Sequence, residues 1–246
     1  YEDVLNEFEN FKTREKYLIS NNLKIDGENL GEVNQKTIKE ISNNPNYLDH
    51  MSRFVSSNND SNQTIMIIGN QTCSRRSAEY LPLKVLESYL SYGMSGALFK
   101  LFREKNGITY DLGAYNPVRD KNAPFLVYLS VSNKNALFAF ELLSSLWKKL
   151  LSNQLLDDEI YLAKEKLKGS FLLSNQALDE LLQRKLQLIS FGIKSISEKD
   201  LNSKIDEISS LKIIKLTNKY FSKPFLSLSG NKKICSEICA MWNNNF

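Results

Sequence analysis

Leu98-Phe99-Lys100-Leu101-Phe102-Arg103-Glu104-Lys105-Asn106-Gly107-Ile108-Thr109-Tyr110-Asp111-Leu112-Gly113 changes from helical to extended patterning in mid-stretch. Leu98, Leu101 and Phe102 recur at helical spacing, so a helix is expected over Gly96–Lys105. Asn106-Gly107 then reads as a turn. Beyond it, Ile108–Tyr115 and Pro124–Ser132 read as two strands joined by the polar turn Asn116–Ala123, a hairpin.

Working outward, Thr64–Gly69 is expected as a strand, and Ser77–Tyr92 as a helix with Leu81, Val85, Leu86, Tyr89 and Leu90 on one face. After the hairpin come expected helices at Lys134–Leu151, Asp157–Lys168 and Gln176–Phe191. A short helix opening at Ser197 and another at Ser210–Phe221 follow, then a strand at Phe225–Ser229 and a closing helix at Lys232–Trp242. Hairpin-linked strands beside long helices predict an α+β fold, with a mostly antiparallel sheet and helices packed on one face.

Residues 1–61 read differently. Val4, Leu5, Phe8 and Phe11 predict an amphipathic helix, with further helical patches around Ile38, Ile41 and Tyr47–Met51. Ser56–Asn62 reads as a polar linker, which puts the expected domain boundary between residues 61 and 62, with the main domain over 62–246.

Composition narrows the function classes. The chain has 246 residues, 42% hydrophobic and 24% charged, enough for a substantial core. The net charge is +4, but acidic and basic residues alternate along the helical stretches, which reads as a solvated surface and not a nucleic-acid footprint. The longest apolar runs are strand-length, so no membrane partner is expected. Three cysteines (Cys73, Cys235 and Cys239) make no even disulfide framework, which favours a reducing compartment. With no secretory pattern at Tyr1-Glu2-Asp3, a soluble cytoplasmic or organellar setting is the expectation. There is a single histidine, His50, so this chain cannot build a two-histidine zinc site.

The string Arg103-Glu104-Lys105-Asn106-Gly107, with Tyr110 seven residues after the arginine, resembles the pitrilysin/insulinase family, which includes the mitochondrial-processing-peptidase-like enzymes. The order of elements agrees over about residues 62–242: a strand, a helix and the turn Gly93-Met94-Ser95-Gly96 upstream, then a strand, a long helix and an acidic-start helix downstream. The resemblance implies one of two similar α+β halves closing around an extended peptide. One half carries His-x-x-Glu-His and zinc; the other lacks them and supplies an Arg/Tyr pair. This sequence has no His-x-x-Glu-His, so the resemblance implies the second half. No metal is expected in this chain, and zinc is expected in a preceding half or a separate subunit. Arg103 would then present charged donors to a substrate carbonyl, and the Tyr110 hydroxyl would donate to the oxyanion, with Gly107 turning the chain between them. The alternative is a non-catalytic structural or interaction subunit of the same fold. Residues 1–61 are either the connection from a preceding half or an insertion.

Overall fold

Met66, Ile68 and Thr64 alternate with Ile65 and Ile67 along one strand, and that alternation sets the architecture. The computed structural model describes residues 53–152, 155–194 and 196–245. His50 and the expected helices before it lie outside the described residues. Five strands form one sheet: β1 (Phe54–Asn58), β2 (Gln63–Gln71), β3 (Asp111–Tyr115), β4 (Pro124–Ser132) and β5 (Phe225–Gly230), in the order β1-β5-β2-β4-β3. Only β1 and β5 run parallel; the other pairs are antiparallel, as the sequence predicts.

Register aligns the apolar faces across strands. Met66 pairs with Leu129 and Leu228, and Ile68 with Val127 and Leu226. All six are buried on one face, where period-2 side chains from three strands make a continuous layer. Helices α1 (Tyr80–Ser91), α2 (Ala136–Leu151), α6 (Ser210–Phe221) and α7 (Lys232–Asn245) cover that layer. Phe221 is fully buried, its ring centroid 5.1 Å from that of Phe125 on the sheet and 5.2 Å from that of Trp147 on α2. The Trp147 indole N–H donates to the Phe221 carbonyl at 3.0 Å, so the polar end of that ring is satisfied inside the core. Helices α3 (Asp157–Gln176), α4 (Leu178–Ser190) and α5 (Glu198–Asp206) form an outer layer around α1. The opposite sheet face carries Val55, Ile65 and Tyr128, all exposed.

Two elements differ from expectation. Ser56, Ser57 and Asn58, read as linker, belong to β1. All three are exposed, so no apolar alternation marks them; backbone bonds to β5 place them in the sheet. The residues that follow are tied as well: Asn59 Nδ2 donates to Ser229 Oγ at 2.9 Å, and Asn133 Nδ2 donates to the Ser61 carbonyl at 2.8 Å. Helix α3, expected to stop at Lys168, continues through Gly169 to Gln176. A helical glycine costs about 1 kcal/mol relative to alanine, and packing of α3 on α1, α4 and α5 outweighs that local preference.

The start of the β3–β4 connection is fixed by a buried ion pair. Glu87 on α1 accepts from Lys84 Nζ at 2.6 Å through one carboxylate oxygen, and from the Asn116 backbone N–H at 2.9 Å through the other. Lys84 also donates to the Asn116 carbonyl at 2.6 Å. This clamp holds the far end of β3 against α1.

Candidate functional site

Arg103 lies in the last turn of a π-helical segment, Phe99–Glu104, whose i to i+5 spacing shows in the bond from Lys105 N–H to the Lys100 carbonyl at 3.0 Å. Phe102 is fully buried and Leu98 just before it equally so, which leaves Phe99 and Arg103 to the outside. Gly107 then takes a left-handed conformation at φ +61°. Its N–H donates to the Arg103 carbonyl at 3.1 Å, and Ile108 N–H to the Phe102 carbonyl at 3.0 Å, so the freed carbonyls of the helix end are satisfied. A residue with a Cβ is disfavoured at that φ, so glycine is what the turn requires.

Thr109 sets the direction of the next residue. It is buried, and its hydroxyl donates to the Ser130 carbonyl on β4 while accepting from Asp111 N–H at 3.2 Å. The chain bends at Tyr110 and the strand begins at Asp111, not at Ile108 as expected. The difference matters for the side chain. Leu112 and Ala114 pair with the inward residues Leu129 and Val127, so regular alternation back from Leu112 would aim Tyr110 at the helices. The bend turns it outward, and Tyr110 is 81% exposed.

The turn brings the two expected site residues together. The Arg103 guanidinium carbon stands 4.8 Å from the centroid of the Tyr110 ring and 5.0 Å from that of Phe99. Such cation–π contacts at exposed sites contribute about 0.5–1 kcal/mol each and restrict the guanidinium plane while leaving its N–H donors free to bind. The Tyr110 hydroxyl makes no hydrogen bond among the described residues. Asp111 and Tyr115 flank the pair on β3, and the Tyr128 ring lies over Gly113, where an added Cβ would come within 2.8 Å of the phenol oxygen. Phe99 was missed from sequence, although its position four residues before Arg103 on one helix is a readable signal for contact.

The residues present do not suit zinc. The only histidine is His50, and no group of three His, Cys, Asp or Glu side chains comes together among the described residues. Cys235 and Cys239 share α7, Cys235 buried and Cys239 half-buried, and both are free, as is the buried Cys73. No helix among the described residues is long and apolar enough to cross a membrane.

Residues 20–167, more than half of the chain, match the family described as the peptidase M16 inactive domain. That match begins well before residue 62, in sequence where no motif stands out. An uncharacterised zinc protease of Rickettsia bellii is 30% identical over 172 residues, covering 67% of this chain and 40% of its own length. The chain thus spans about two fifths of the length of that relative. Among solved structures, a peptidase M16 inactive domain from Pseudomonas fluorescens superposes with a TM-score of 0.64 at 19% identity, covering 73% of this chain and 43% of that one. A chain of complex III2 from Candida albicans gives a TM-score of 0.59 at 12% identity, covering 75% and 49% respectively. Both superpositions show a shared fold. By the family match over more than half of the chain and by the sequence relative, the chain belongs to the M16, or pitrilysin-like, zinc peptidase family and corresponds to its inactive, C-terminal half.

Proposed function

We propose that this chain is the substrate-binding half of a zinc metalloendopeptidase, completed by a zinc-bearing half in the same polypeptide or in a separate subunit. The observation that carries the reading is the stacked pair: Arg103 lies 4.8 Å over an outward-turned Tyr110, with both polar ends exposed beside the open sheet face. Arg103 donates to a carbonyl of an extended peptide, and its always-charged fork suits that acceptor. The Tyr110 hydroxyl donates to the oxygen that gains negative charge at the scissile carbonyl. The zinc and the general base belong to the other half; this chain's part is to hold the peptide and to stabilise the developing oxyanion.

Two measurements test this. The purified chain alone should bind no stoichiometric zinc by elemental analysis and cleave no quenched fluorescent peptide; chelator-sensitive cleavage by this chain would overturn the reading. In the completed enzyme, Arg103→Ala should raise KM by about tenfold to a hundredfold, the loss of one charged hydrogen bond of roughly 1.5–3 kcal/mol. Arg103→Lys should recover only part, because lysine keeps the charge without the fork or the stacking plane.

The second reading is a non-catalytic structural or interaction subunit, favoured by the shared fold with the Candida albicans complex III2 chain. On that reading the Arg103 and Tyr110 variants change assembly or nothing at all. Kinetics and subunit co-purification on the same variants separate the two.

A further inference from the structure

A groove of about 1210 Å³ lies between the start of α1 and the outer helices α4 and α5, at the opposite end of β3 from Tyr110. It exceeds the roughly 300–1,000 Å³ of sites that take a small ligand, so it has room for a segment of polymer. Leu181, Arg184, Lys185 and Leu188 face it from α4 at helical spacing, so one face of that helix is both apolar and basic. No residue of α4 is buried, although the helix carries leucines throughout.

The charge in the groove is one-sided. Eight Lys or Arg residues line it against two glutamates, Glu198 and Glu207. Arg76 is matched by Asp120 at 2.6 Å and Lys84 by Glu87 at 2.6 Å. Arg184, Lys185 and Lys194 make no ion pair among the described residues. Arg184 is nonetheless positioned: its guanidinium sits 5.9 Å over the Phe171 ring and donates to Ser174 Oγ at 2.9 Å and to Asn175 Oδ1. A cation held by neutral partners keeps its full charge for an incoming acid.

We propose that this groove docks an acidic amphipathic peptide segment, with leucine-type side chains on the apolar floor and Glu or Asp against Arg184, Lys185 and Lys194. The floor argues against nucleic acid. Single-stranded polymers need aromatic faces for their bases; of the three rings lining the groove, Tyr80 and Phe171 are already covered by Arg75 at 4.3 Å and by Arg184, and Tyr92 is half-buried. The docking is independent of Arg103 and Tyr110.

The test is fluorescence anisotropy on the full chain. The probe is a labelled amphipathic peptide with Leu at i, i+3, i+4 and i+7 and Glu between, set against the same peptide with Lys for Glu. The Glu peptide should bind at least tenfold tighter and weaken as salt rises, since the attraction is screened. The double change Arg184→Glu with Lys185→Glu should weaken binding at least tenfold, and Lys232→Glu on α7 should leave it unchanged. Circular dichroism melts check folding; if the double variant does not fold, Lys194→Glu on the exposed connection reads the same effect. Equal binding of the two peptides, indifference to the charge reversals, or tighter binding of a single-stranded oligonucleotide that the double change abolishes would each overturn the proposal.

Discussion

Replacing Tyr110 by Phe in the enzyme completed with its zinc-bearing half should lower kcat by roughly two to three orders of magnitude, the effect of removing one oxyanion donor. The substitution is clean because of how the residue is held. The ring that stacks under Arg103 is retained, Thr109 still pins the bend through its hydroxyl, and the exposed phenol oxygen leaves no orphaned partner behind. Thermal stability should therefore stay within about 0.5 kcal/mol of wild type, as for surface changes away from special features. KM should move little, because the lost bond strengthens only as charge develops. Steady-state kinetics with melts as the folding control decide it. Wild-type turnover in Tyr110→Phe would make the residue a packing partner for Arg103 and no more.

Glu87→Ala should act in the opposite way, on the fold and not on a reacting group. Lys84 keeps only 14% of its side-chain exposure and would lose its carboxylate partner, while Asn116 N–H would lose its acceptor. Breaking a buried pair from one side costs about 3–5 kcal/mol, since the remaining charge stays buried and uncompensated. For a chain of this size that corresponds to a fall in melting temperature of about 6–20 °C. Glu87→Gln, whose single amide oxygen can accept from either the Asn116 N–H or the ammonium group but not from both, should lose less than Ala and still melt below the wild type. Equal melting temperatures for the wild type and Glu87→Ala would show that the clamp is ornamental to the fold. The two variants separate cleanly: one changes turnover at constant stability, the other stability ahead of turnover.

Periodicity carried most of the architecture. The short apolar run Ile65–Ile68 ending on Gly69 marked β2, and Phe140, Leu143, Trp147 and Leu150 at helical spacing marked α2, because burial on one face of a helix leaves its period in the sequence. Where structure rests on backbone bonds, sequence is mute. The exposed serines of β1 read as linker, although β5 holds their main chain. The site was half legible. The spacing from Arg103 to Gly107 to Tyr110 placed the pair, but the outward swing of Tyr110 depends on Thr109 reaching the Ser130 carbonyl on another strand, a contact no local pattern encodes. The basic groove was hidden for a related reason. Alternating charge along each helix averages out in sequence, and only the meeting of α1, α4 and α5 gathers the cations on one side.

The strand order gives the chain a particular dependence on its own far end. β5 lies between β1 and β2, so Asn59 and Ser229, 170 residues apart, are neighbours. Until Phe225–Gly230 arrives, β2 has an open edge bearing Ile65, Met66, Ile67 and Ile68, and β1 has nothing to pair with. A nascent chain therefore holds Arg103, Tyr110 and the hairpin long before the sheet can close. Contacts this distant in sequence form late and slowly, and an unpaired apolar edge is a template for other strands meanwhile. The last of the five strands is the one that covers the apolar edge of β2.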